Sequence, residues 1–201
     1  MRPFYAPSLL LVRVVFPLLA DAQLKGVEAV IPRGPLVVVA ERRSRWDAVA
    51  LAAALPRPLV FWGREWAATG GRLVLPRRDR LDEGVDMLRH DAAVGILLRD
   101  VSRPRSGCVP SAARIPAGMV GAVLLALRAM APVLPVRVSG TEGIGLLRRP
   151  RVEVVFGQPF SLPLLEGLLS RAMLCTLAEM VAGRLATVRA DDYQRPGAPG
   201  S

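Results

Sequence analysis

Pro35-Leu-Val-Val-Val-Ala40 runs into Glu41-Arg-Arg-Ser-Arg-Trp-Asp47 and then into Ala48-Val-Ala-Leu-Ala-Ala-Ala-Leu55. The first segment is a continuous, β-branched apolar run of strand length, the pattern of a strand buried on both faces. The last is alanine-rich, which favours helix, and Pro56 and Pro58 close it. Between them lies a charged loop. A strand that passes into a helix through such a loop is the opening unit of an α/β fold, and ligands bind outside the carboxyl ends of strands in such folds. Ser44 and Asp47 stand three residues apart at the start of the helix. That is the spacing of a capping box, in which the Asp47 carboxylate closes onto the Ser44 amide.

The same alternation continues downstream. Leu59-Val-Phe-Trp62 is a short strand, the Gly70-Gly71 turn leads to a second short strand at Leu73-Val-Leu75, and Asp79 to Leu88 has helical spacing through Leu81, Val85 and Leu88. Ala92 to Leu98 is a further buried strand. A Ser/Pro/Arg-rich loop from Val101 to Ile115 precedes a helix over Ala117 to Met130. Val133 to Val138 is a strand in which Pro135 predicts an edge or irregular position, because proline cannot donate to a ladder. Arg151 to Phe156 alternates like a strand with one wet face, and Leu162 to Val188 contains a helical stretch. The expected fold is a single-domain α/β sandwich, with a mixed, mainly parallel sheet flanked by helices.

At the N-terminus, the apolar run from Ser8 to Ala20 is too short to span a bilayer, and Arg13 and Pro17 interrupt it. It reads as an interfacial or docked helix within residues 1–25. A signal peptide is the competing assignment, against which Arg13 splits the apolar segment such a peptide needs. The main domain then covers residues 26–189, and residues 190–201, polar and rich in Pro and Gly, form a flexible tail.

The chain has 201 residues, 27 of them Lys or Arg against 17 Asp or Glu, a formal charge of +10. Lys25 is the single lysine, so the positive charge is almost entirely guanidinium, which suits bidentate contact with phosphate. Anionic partners are favoured: phospholipid headgroups, phosphorylated small molecules or nucleic acid. Aromatic residues are 5% of the chain, too few for a base-stacking platform, and no helix-turn-helix pattern is present, so a nucleic-acid-binding module is the weakest of these. The two cysteines, Cys108 and Cys175, are far apart and without a nearby histidine, which points away from disulfides and metal and toward a reducing, cytoplasmic setting.

Three charged loops follow predicted strands: Glu41 to Asp47, Pro76 to Arg80, and Arg99 to Arg105. The chain resembles the glycerolipid (lysophosphatidic-acid) acyltransferase family at these loops. The family's first motif, a His and an Asp separated by four residues, stands here as Arg42 to Asp47 with Arg43-Ser44 inside it. Gly71-Arg-Leu-Val-Leu-Pro-Arg77 is similar to the second motif, with Pro76 where an acidic residue is usual. Leu98-Arg-Asp-Val-Ser-Arg103 resembles the third, keeping an acid, a hydroxyl and the arginine but losing the Gly and Pro. The fourth region is the best kept, in Pro116-Ala-Gly118, Ala131 to Glu142 and Val154 to Pro159. The resemblance runs from about Gly26 to Pro163.

This resemblance implies acyl transfer from a CoA or carrier-protein thioester to a lysophospholipid hydroxyl, with no further cofactor. The family's His is the general base and its Asp orients that His. The Asp position is Asp47, and Asp100 is the other candidate acid. Arg77, Ser102, Arg103 and Gly118 fall where the acceptor and its phosphate would bind. Arg42 cannot take over from the histidine, because a guanidinium is already protonated and accepts no proton. His90 is the only histidine. It precedes the strand whose far end carries Asp100, roughly 25 Å from the loops at about 3.3 Å per residue, and reads as a solvated turn residue. Two functions follow. One is a peripheral protein on the inner membrane face that has lost ordinary catalysis and keeps binding of an anionic phospholipid or lysophospholipid, with Arg42 paired to Asp47. The other is a working acyltransferase in which the substrate or Asp100 replaces the base while Arg42 stabilises the oxyanion.

Overall fold

The computed structural model describes residues 16–62, 81–99, 117–145, 149–163 and 170–188. Among these residues six strands form one sheet in the order β1-β6-β5-β2-β4-β3: β1 (Asp21–Lys25), β2 (Leu36–Glu41), β3 (Leu59–Phe61), β4 (Ala93–Leu98), β5 (Val133–Ser139) and β6 (Arg151–Phe156). Among the described residues, the helices α1 (Asp47–Ala54), α2 (Leu81–Arg89), α3 (Ala117–Ala129) and α4 (Arg171–Thr187) flank it. β2, β3, β4 and β5 run parallel, β6 is antiparallel to β5, and β1 is parallel to β6. The expected mixed, mainly parallel α/β sandwich is the observed one.

Burial on both faces explains the unbroken apolar runs. Val37 and Val39 point to one side and Leu36, Val38 and Ala40 to the other, all of them fully buried. On the second side lie α1, the helical residues 16–19 and the turn that contains Val27 and Val30. On the first lie α2, α3 and α4. The helix that follows β2 therefore packs on one face and the helix that follows β4, its hydrogen-bonded neighbour, on the other. Such a switch opens a crevice at the carboxyl ends of the two strands.

Two features depart from the sequence pattern. The sheet begins at Asp21, directly after the apolar run that ends at Ala20, in a stretch for which no strand is expected. Asp-Ala-Gln-Leu-Lys has no strong period-two signal, and its strand conformation comes from pairing with β6, from Asp21↔Arg151 to Lys25↔Val155. Of the expected helix, residues 16–19 are helical, and Phe16 and Ala20 are buried in the core. The second departure concerns Pro135. Its strand is interior, between β6 and β2. The irregularity lies in the neighbouring chain: Val133 pairs with Phe160 and Val136 with Phe156, so three steps on β5 face four on the other strand. This is a β-bulge, and the Gly157 amide donates to the Pro135 carbonyl there (2.9 Å). The side of Pro135 that lacks an N–H faces the bulge, so the sheet loses little.

At the amino ends of β2 and β4, Arg57 is buried and forks onto three carbonyls. Nη1 donates to Ile31 (3.0 Å), and Nη2 donates to Gly34 (2.8 Å) and Asp91 (2.6 Å). Burial pushes this guanidinium below its ordinary value, and the nearby Asp91 carboxylate opposes the shift. The expected strand Leu73–Leu75, most of the N-terminal run and the 190–201 tail lie outside the described residues. No described helix is long and apolar enough to cross a membrane.

Candidate functional site

The Arg42 amide donates to the Leu98 carbonyl (2.6 Å), one step beyond the last β2–β4 pair, Glu41↔Leu98. This bond fixes where the charged loop departs from the sheet. Residues 43–46 then turn away and α1 begins at Asp47.

Asp47 holds the turn together. Its Oδ2 accepts from the amides of Arg43 (2.6 Å) and Ser44 (2.7 Å), and its Oδ1 accepts from the Thr141 hydroxyl. Asp47 and Thr141 are both fully buried. The carboxylate arm of the expected capping box is therefore formed and extended by one residue. The hydroxyl arm differs, since Ser44 Oγ accepts from the Trp46 amide (3.1 Å). A carboxylate at the first turn of a helix also meets the positive end of its dipole.

Thr141 is brought in by Gly140. This glycine has φ 84°, and a Cβ on it would lie 2.1 Å from the Arg151 carbonyl oxygen. No other residue fits between β5 and β6 at this point. The chain then closes a short 3₁₀ turn over Thr141–Gly143, directed at the first turn of α1. Thr141 is the site residue that sequence reasoning missed. Its signal is a Gly-Thr pair directly after a strand, which marks a turn but names no partner 94 positions away.

Gly118 also meets the end of β4. A Cβ there would come within 2.8 Å of the Leu98 side chain, so the absence of one lets the start of α3 press onto this strand end. Arg42 and Gly118 thus meet at Leu98, while Asp47 lies at the far end of the β2–α1 loop. Arg77, Asp100, Ser102 and Arg103 lie outside the described residues. His90 stands in the exposed turn before β4, at the opposite end of that strand from Leu98, with its Nδ1 2.8 Å from the Asp86 carbonyl oxygen.

The surface around the loop is rich in guanidinium. Arg43 and Arg45 are exposed on the loop, Arg42 is half-buried beside them, and exposed Arg99 follows β4 directly. Arg43 pairs with Glu41 (3.1 Å), a partly exposed contact of small worth. A depression of about 650 Å³ lined by Asp82, Glu83, Val85, Asp86, Arg89 and Arg128 includes none of these residues.

No protein-family profile matches the chain. No curated protein matches it either. Among solved structures, it is similar to the 1-acyl-sn-glycerophosphate (LPA) acyltransferase PlsC from Thermotoga maritima, with a TM-score of 0.58 over 94% of this chain and 85% of that one. The chain has a PlsC-like fold. At 19% identity the likeness is one of architecture. It covers nearly the whole chain.

Proposed function

We propose that this chain is a glycerolipid-acyltransferase relative that has lost histidine-based catalysis and binds an anionic phospholipid or lysophospholipid at the membrane surface. The observation that carries the proposal is the state of the first motif. Arg42 stands where a general base would be needed, and the Asp47 carboxylate is engaged by two loop amides and the Thr141 hydroxyl. A guanidinium cannot take the proton of an attacking hydroxyl, but it binds phosphate through forked donors. The arginines around the loop and the charge of +10 favour such a ligand on a surface facing an anionic leaflet.

The test is acyl transfer from an acyl thioester to lysophosphatidic acid by purified wild type and Arg42→His, with co-sedimentation on anionic vesicles in parallel. The proposal expects no turnover by wild type and salt-sensitive binding to vesicles. Turnover by wild type would show that catalysis persists without the histidine. Failure to bind anionic vesicles would remove the lipid-binding role.

A further inference from the structure

Asp47 is the one fully buried carboxylate among the described residues, and each of its oxygens has a donor. We infer that Thr141 is a positioning residue for the arginine loop: acting through Asp47, its hydroxyl fixes the Arg43 and Ser44 amides and so sets where Arg42, Arg43 and Arg45 stand around a bound phosphate group. The inference rests on the proposed binding of an anionic headgroup and adds the device that shapes the site.

The mechanical chain is continuous. Gly140 is held against the Arg151 carbonyl in a conformation that only glycine adopts there without strain, so the turn after β5 has little freedom. The Ile144 amide closes the turn onto the Thr141 carbonyl (3.2 Å), and the Thr141 hydroxyl then reaches Asp47 Oδ1. Asp47 Oδ2 grips two successive amides of the loop. Without the hydroxyl, Oδ1 is left in a buried pocket with one donor fewer. The carboxylate then rotates toward another donor or admits water, and either change loosens its grip on the amides. A forked guanidinium contact depends on where its Cα stands, so loosening the loop weakens phosphate binding more than it weakens the fold.

The experiment uses the full chain, as wild type, Thr141→Val and Thr141→Ser, with folding checked by circular dichroism and thermal melting. Binding is measured to phosphatidylcholine vesicles carrying phosphatidic acid or phosphatidylglycerol, and to inorganic phosphate. The vesicle arms report a lipid source of the phosphate and the inorganic arm a free one. Thr141→Val is expected to lose on the order of tenfold in affinity for the probe that wild type binds, whereas Thr141→Ser, which keeps the donor, restores it. A folded Thr141→Val that binds like wild type overturns the inference, as does Thr141→Ser binding as weakly as Thr141→Val. Wild type that binds neither vesicles nor phosphate overturns the proposed function, and the positioning role with it. If Thr141→Val does not fold, amide NMR of wild type decides. The Arg43 and Ser44 resonances are expected to move on adding dihexanoyl phosphatidic acid, and their failure to move overturns the inference.

Discussion

The Thr141 hydroxyl donates to Asp47 Oδ1 across 94 positions of sequence, and neither residue is exposed to solvent. This contact joins the turn after β5 to the first turn of α1. It makes Asp47 a brace of the loop that carries Arg42.

Removing that brace has a definite cost. Asp47→Ala leaves the Thr141 hydroxyl and the Arg43 and Ser44 amides without their acceptor, so a loss of about 3 kcal/mol is expected. Urea denaturation measures it. A loss below about 1 kcal/mol would mean that water replaces the carboxylate at this buried point.

Gly140→Ala is expected to destabilise by at least about 2 kcal/mol, since φ 84° and the Arg151 carbonyl oxygen both oppose a side chain. Gly145→Ala is the control. Nothing lies within 4 Å of a Cβ there, so its effect stays within about 0.5 kcal/mol.

Arg57 tests the other end of the sheet. Arg57→Met leaves the Ile31, Gly34 and Asp91 carbonyls without its donors, and the melting temperature should fall by roughly 5–10 °C. Arg57→Lys should recover less than about half of this, because one ammonium cannot reproduce a planar fork onto separate carbonyls.

Gly183 lies in the interior of α4 with open space around it and an exposed surface. Gly183→Ala is expected to raise stability by about 0.5–1 kcal/mol, the difference in helix propensity between the two residues. A loss of stability in the same denaturation assay would show that an unseen contact depends on that glycine.

The strands with continuous apolar runs were legible because burial on both faces leaves a strong local signature. Leu36–Glu41 and Ala93–Leu98 lie within one residue of where their composition places them. β1 left no such signature, since an edge strand of mixed polarity is held by its neighbour β6 more than by its own residues. Pro135 was expected at an edge or irregular position, yet its strand is interior and the extra residue belongs to the segment opposite it, which the sequence could not show.

The candidate site divides along the same line. Sequence alone determined that a charged loop with Arg42 follows a buried strand, that the Asp47 carboxylate closes onto the Ser44 amide, and that His90 lies at the wrong end of its strand to serve there. These follow from local composition and from the fixed rise of extended chain. Only the tertiary structure decided that Asp47 takes its third donor from Thr141, that Gly118 presses onto Leu98, and that Arg57 gathers three carbonyls from two distant segments. The physical reason is that a buried polar group must find a partner, and in a crossed α/β topology that partner comes from wherever the sheet order brings the chain back.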